Sequence, residues 1–168
     1  MSREIWVISD THFGHENIIK YCNRPYKDSK EMDESILDNW NSVVKDGDIV
    51  YHLGDVYFNL EKPSSFLNKL KGRKRLVLGN HDNGKDQNLL NVFQKIMVWK
   101  MFPEFGLLLT HVPVHESTLD RGLTENLRKL TNVHGHIHNK EPPSPFHVNV
   151  SVEMVDYTPI NIEELRIR

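Results

Sequence analysis

"IWVISDTHFGH", residues 5–15, changes character at its midpoint. Its first half is bulky, apolar and rich in β-branching, which reads as a short buried strand. Asp10, His12 and His15 follow at once. The stretch therefore delivers a carboxylate and imidazoles to the carboxyl end of a strand. The same transition recurs along the chain. "DIVYHL" (48–53) leads into Gly54-Asp55, and "RLVLG" (75–79) leads into Asn80-His81-Asp82. "GLLLTH" (106–111) ends on His111, and "TNVHG" (131–135) runs into His136 and His138. Runs this short, bounded by Gly, Asp and Asn, read as strands rather than helices.

Helical patterns lie between these runs. "SKEMDESILDNWNSVV" (29–44) carries Met32, Ile36, Leu37, Trp40, Val43 and Val44 on one stripe, with Ser29 as the expected N-cap. "EKPSSFLNKL" (61–70), "KDQNLLNVF" (85–93) and "ESTLDRGLTENLRKL" (116–130) are shorter or weaker helical patterns. Strands alternating with helices predict βαβ units and a largely parallel sheet. In such sheets ligands bind at the carboxyl edge, so five strand ends are expected to build one polar site. Two segments fall outside this pattern. "KIMVWKMFPEF" (95–105) reads as extended, and "FHVNVSVEMVDYTPI" (146–160) alternates like a meander. They suggest a second sheet packed against the first. The expectation is one domain over residues 1–168.

Composition narrows the function. Lys and Arg number 21 against 23 Asp and Glu, a formal net charge of -2. That balance gives no electrostatic case for general nucleic-acid or membrane binding. The basic run "KGRKR" (71–75) reads as a solvated turn before a buried strand. One cysteine, Cys22, excludes an intramolecular disulfide and reads as a small buried apolar residue. A cytoplasmic location is expected, because no stretch resembles a signal peptide or a membrane span. The unusual count is ten histidines.

The strand ends supply seven donors: Asp10, His12, Asp55, Asn80, His111, His136 and His138. A single zinc ion needs three or four. Seven mixed nitrogen and oxygen donors suit two divalent ions about 3.5–4 Å apart, sharing one carboxylate. No cysteine lies among them, which excludes a thiolate zinc site. Mixed imidazole and carboxylate ligation suits manganese, iron, zinc or cobalt, and the residues do not choose among them; manganese is taken as the first expectation, with nickel a further candidate. Each donor alone could be an ordinary turn or cap residue; the set carries the reading.

Taken in order, Asp10-x-His12, Gly54-Asp55, Gly79-Asn80-His81-Asp82, His111 and Gly135-His136-x-His138 resemble the five blocks of the calcineurin-like metallophosphoesterase superfamily. The blocks cover most of the chain. "SDTHFGHENII", "HLGDVYF", "LVLGNHD" and "NVSVE" resemble its small, single-domain bacterial and phage members. The resemblance implies an α/β fold of two facing mixed β-sheets flanked by helices, a four-layer sandwich. It implies that Asp10, His12 and His138 hold one metal and Asn80, His111 and His136 a second, with Asp55 bridging. His81 would protonate the leaving group after attack by a metal-bridging hydroxide, and Asp82 would help orient it. The implied activity is metal-dependent hydrolysis of a small phosphate ester, nucleotides included, with phosphodiesters expected ahead of monoesters. The alternative of another class is a non-catalytic scaffold, for which an intact His81 has no use. A nuclease would need a nucleic-acid-binding domain for which 168 residues leave no room.

The remaining histidines divide. His134, His52 and His147 lie inside strand-like runs and are read as structural. His115 is weighed with His15 and Arg24 as a neighbour of the site and is not expected to reach it. His15 and Arg24 are candidate substrate contacts, the latter as a fork onto a phosphate. Specificity is assigned to the loops at 13–28, 56–62 and 112–122. The segment around Trp99 and Phe102 is legible either as core or as a dimer face, so oligomeric state is not readable.

Overall fold

The computed structural model describes residues 3–120 and 129–166. In chain order the elements are β1 (Ile5–Ile8), α1 (Glu16–Tyr21), α2 (Ser29–Val43), β2 (Ile49–His52), α3 (Pro63–Leu67) and β3 (Arg73–Val77). There follow α4 (Gln87–Val92), β4 (Lys95–Met97), β5 (Trp99–Phe102), β6 (Leu107–Thr110), β7 (Thr131–His134), β8 (His147–Asn149) and β9 (Ile160–Asn161). Short 3₁₀ turns cover Glu116–Thr118, Val152–Met154 and Ile162–Leu165.

The strands form two sheets, ordered β4-β3-β2-β1-β9 and β5-β6-β7-β8. β1 to β4 run parallel and β9 is antiparallel to β1. In the second sheet β6, β7 and β8 are parallel and β5 is antiparallel to β6. The strand periodicity explains the layering. Ile8, Val50 and Leu76 point to one side, where they pack with Met32, Ile36 and Trp40 of α2. Their neighbours Val7, Tyr51 and Val77 point to the other, against Leu107, Leu109 and Val133 of the second sheet. Both faces of the first sheet are thus covered, which is why β1 and β2 are near-continuous apolar runs rather than alternating ones. Each fully buried side chain of this kind contributes roughly 1.5–3 kcal/mol.

The two facing mixed sheets with flanking helices match the expected fold class. Several local expectations are corrected. The five ligand-bearing strands do not share one sheet: β1, β2 and β3 lie in the first and β6 and β7 in the second. Residues 146–160 are not a meander, since β8 joins the second sheet beside β7 and β9 joins the first beside β1. Of residues 95–105, 95–97 and 99–102 are strands and 103–105 form a turn, and the chain changes sheet at Val98. The N-cap of α2 is Asp28, whose side chain accepts the Glu31 N–H at 2.8 Å, and Ser29 is its first helical residue. Of the helix expected over 116–130, the turn Glu116–Thr118 is present, and 121–128 lie outside the described residues. Among the described residues no helix is long and apolar enough to cross a membrane.

Candidate metal centre

The strand ends converge in the cleft between the two sheets. Five candidate donors adopt left-handed backbone: Asp10 (φ 59°), His12 (50°), Asp55 (56°), His136 (70°) and His138 (52°). Asp and His tolerate this region better than most residues, but it still costs energy and marks positions where geometry is imposed. Backbone bonds impose it here. Asp10 N–H donates to Gly54 O and His12 N–H to Asp55 O, both at 3.0 Å, and Gly135 N–H donates to His111 O at 2.9 Å. The loops that carry the donors are thereby stitched to one another. Gly79 and Gly135 are needed for close approach: a Cβ at Gly79 would overlap the Asp55 carboxylate, and one at Gly135 would overlap Ser9 and the Asp10 carboxylate.

Two groups of donors result. The ligand atoms of Asp10, His12 and His138 lie within 4.8 Å of one another, as do those of Asp55, His111 and His136. Asn80 completes the second group, its Oδ1 standing 2.8 Å from His111 Nε2 and 2.9 Å from His136 Nδ1. Asp55 Oδ2 is 3.5 Å from both His12 Nε2 and His111 Nε2, so one carboxylate faces both groups. Every donor anticipated from the sequence is brought to this place.

The surroundings fit a cation. Asp10 Oδ1 and His12 Nε2 are buried with no hydrogen-bond partner. Leaving such atoms dry and unpaired is costly, and both belong to the first donor group. Burial pushes the His12 pKa down to about 3. The ring is therefore neutral, its contact with Asp55 is not a salt bridge, and a lone pair is free for a metal. The outer partners set the rings. His111 donates from Nδ1 to Leu53 O at 2.7 Å, which leaves Nε2 facing the centre. His138 donates from Nδ1 to Glu153 Oε1 at 3.2 Å. Such partners fix the tautomer and raise ligand basicity. Burial alone would raise the Asp55 pKa, but the bond and charge of His111, then the His81 N–H, hold it well below the carboxylate range.

Other candidates fall where the sequence did not place them. Arg24 does not reach out to a phosphate. It is buried, and its guanidinium donates to Glu153 Oε1 (2.7 and 2.9 Å), Asp10 O (2.7 Å), Thr11 O (3.0 Å) and Met32 Sδ (3.3 Å). It ties the Asp10–His12 turn to Glu153, because the carbonyls of a left-handed turn need donors from behind. Asp82 does not bond the His81 ring. Its carboxylate accepts the N–H groups of Asp55 (2.8 Å), Val56 (3.0 Å) and Gly79 (2.8 Å), locking the loops after β2 and β3 together.

His15 does lie at the cleft. Its ring stacks on Phe58 at 4.3 Å, and its Nδ1 shares a hydrogen bond with His12 Nδ1 at 3.4 Å. His81 is exposed, outside both donor groups, with its N–H on Asp55 Oδ1 at 3.0 Å. With His12, His15, Phe58, His136 and His138 it lines a cleft of about 580 Å³. His134 is a buried residue of β7 outside both groups, bonded to Gly135 O. His52 contacts Thr11 Oγ1 at 2.9 Å and accepts the Gly54 N–H, bracing the loops from below. His147 bonds Val114 O at 2.8 Å. Cys22 is buried beside His138 and Glu153.

Glu153 and Ser151 are the residues the sequence reading missed. Glu153 holds both Arg24 and His138, and Ser151 Oγ donates to Asp10 Oδ2 at 3.1 Å. The available signal was an acid and a serine in "NVSVE" after a buried strand, far in sequence from every donor block.

Comparison with known proteins agrees with this geometry. The family model described as calcineurin-like phosphoesterase matches residues 3–164. An uncharacterized protein of Methanocaldococcus jannaschii, MJ1445, is 37% identical over 171 residues, which cover 96% of this chain and 88% of that one. The gene 66 protein of Mycobacterium phage D29 is 28% identical over 161 residues, covering 81% of this chain and 79% of its own. The crystal structure of AQ665 from Aquifex aeolicus, a protein of unknown function, superposes with a TM-score of 0.75 at 31% identity, covering 98% of both chains. Donor groups at the ends of two facing sheets and a family match across nearly the whole chain lead to one conclusion: the protein belongs to the calcineurin-like phosphoesterase family.

Proposed function

We propose that this chain is a two-metal phosphoesterase that acts on phosphodiesters ahead of monoesters. The observation that supports it best is the Asp55 carboxylate, 3.5 Å from one histidine of each donor group. Asp10, His12 and His138 would hold one ion and Asn80, His111 and His136 the other, with Asp55 shared. Divalent ions at these positions, manganese first among the candidates, would neutralise the phosphate and acidify a water. The protein's own groups do the rest. Leu53 O and Glu153 aim His111 and His138 inward. Asp82 and the His81 N–H hold Asp55 in place. The His81 imidazole, exposed at the cleft and bound to neither group, protonates the departing alkoxide.

The preference for diesters follows from Arg24. Its guanidinium is committed to Glu153 and to backbone carbonyls, so it is withheld from the substrate. A dianionic monoester would profit from that charge more than a monoanionic diester. The experiment is hydrolysis of matched aryl phosphate mono- and diesters by metal-stripped protein titrated with Mn²⁺. Metal-dependent turnover, faster on the diester, is expected. Faster monoester turnover would reverse the ranking. No turnover by protein that binds two ions per chain would leave a non-catalytic scaffold as the reading.

A further inference from the structure

A second concavity adjoins the centre. It has a volume of about 660 Å³ and its wall is almost wholly apolar among the described residues, built from Leu78, Val98, Trp99, Met101, Leu108 and Val112. Val98 is 70% exposed, Trp99 57% and Val112 45%. The groove arises where the chain leaves β4 at Val98 and enters β5 in the other sheet. Gly79, Asn80 and His111 also line it. Two of these belong to the second donor group, so the groove and the metal centre are one continuous surface.

Large side chains left open to water, gathered in a concavity that ends on a reactive centre, are the physical mark of a ligand site. The polar cleft of His12, His15, His81 and His138 lies at the same centre but is walled by different residues. A phosphoryl group held between the two donor groups thus has a polar cleft lined by His12, His136 and His138 and an apolar groove lined by Asn80 and His111 beside it. We infer that the groove receives an apolar arm, alkyl or aryl, of the phosphate ester. The inference rests on the phosphoesterase reading and narrows it to esters with a bulky hydrocarbon substituent. The shared residues Asn80 and His111 favour this occupant over a second copy of the chain, because a concavity whose wall includes metal donors is filled by what those metals bind.

The test uses calorimetric titration of the Mn²⁺-loaded protein with methylphosphonate and n-hexylphosphonate, which carry the same headgroup. The hexyl compound is expected to bind at least about tenfold more tightly, since even one methylene in an apolar pocket is worth roughly that much. Val98→Asp and Trp99→Asp should each bring the ratio close to one. Both side chains are largely exposed, so the fold survives, and metal content per chain verifies it. Equal affinity of the two phosphonates for the wild-type protein overturns the groove while leaving the phosphoesterase reading intact. So does a ratio that persists in both variants. If neither phosphonate binds the metal-loaded protein, the phosphoesterase reading is overturned and the groove with it. A dimer in sedimentation that Trp99→Asp dissociates, with no hexyl advantage, assigns the groove to a second copy and overturns the inference.

Discussion

Replacing Glu153 by glutamine tests the residue that the donor pattern does not reveal. Glu153 Oε1 accepts from Arg24 at 2.7 and 2.9 Å and from His138 Nδ1 at 3.2 Å. The Arg24 and Glu153 side chains are 0% and 4% exposed. The amide would keep the shape and one acceptor oxygen but leave the buried guanidinium without a counter-charge. Breaking one side of a buried pair costs about 3–5 kcal/mol, and the retained acceptor argues for the lower end. The titration of Glu153 gives a similar figure. Burial would raise its pKa, but His138 and Arg24 hold it down to about 2 from 4.5. Such a shift corresponds to roughly 3 kcal/mol. The folded pKa is depressed, so this contribution is present above the unfolded value of about 4.5 and fades as pH falls toward 2.

The assay is urea unfolding of metal-free wild-type and E153Q protein at pH 7 and at pH 3.5. A difference of about 3 kcal/mol is expected at pH 7, smaller by about 1 kcal/mol at pH 3.5. In a second measurement, metal titration should show the first-bound or the second-bound ion weakened about 10–100-fold, as for other outer partners of a ligating imidazole. E153Q that unfolds like the wild type at pH 7 and binds both ions unchanged would refute the account of Glu153 as the brace of Arg24 and His138.

Three further outcomes are expected. His81→Ala should retain both metal ions, measured by elemental analysis, and lose about 10²–10⁴-fold in turnover on an ester with a poor leaving group; full activity on that ester removes His81 from the reaction. Gly135→Ala, whose new Cβ would overlap Ser9 and the Asp10 carboxylate, should cost about 1–3 kcal/mol in urea unfolding and weaken metal binding. Gly47→Ala, with nothing within 4 Å, serves as the silent control. Asp33 accepts the Gly14 N–H through both carboxylate oxygens at 3.0 Å, and burial pushes its pKa up to about 7. A raised folded pKa makes wild-type stability fall as pH climbs from about 4 through 7. Asp33→Asn should flatten that fall, and equal pH slopes for the two proteins in thermal unfolding would count against it.

The donors were legible because metal chemistry restricts residue type. Asp10, His12, Asp55, Asn80, His111, His136 and His138 each follow a short apolar run, and imidazole and carboxylate at a strand end are conspicuous against it. Arg24 and Asp82 were misjudged for the opposite reason. A guanidinium beside a phosphate and a guanidinium beneath a turn look the same in a sequence. Only the bonds from Arg24 to Asp10 O, Thr11 O and Glu153 distinguish them. Likewise Asp82 sits next to His81 in the chain, yet its carboxylate is spent on the N–H groups of Asp55, Val56 and Gly79.

What the sequence determined by itself was the local chemistry: five apolar runs as strands, the donors at their ends, and a helix expected over 29–44 and observed over 29–43 with its buried stripe. These depend on residue type and short spacing, which act within one element. What the tertiary structure alone decided was the division of the strands between two sheets, the reach of Asp55 toward both donor groups, and the closure of the site by Glu153 and Ser151. Those features join residues as much as 155 positions apart, as where Trp6 pairs with Asn161. They are settled by which apolar faces bury one another and which buried donors find acceptors, and no local pattern records either choice.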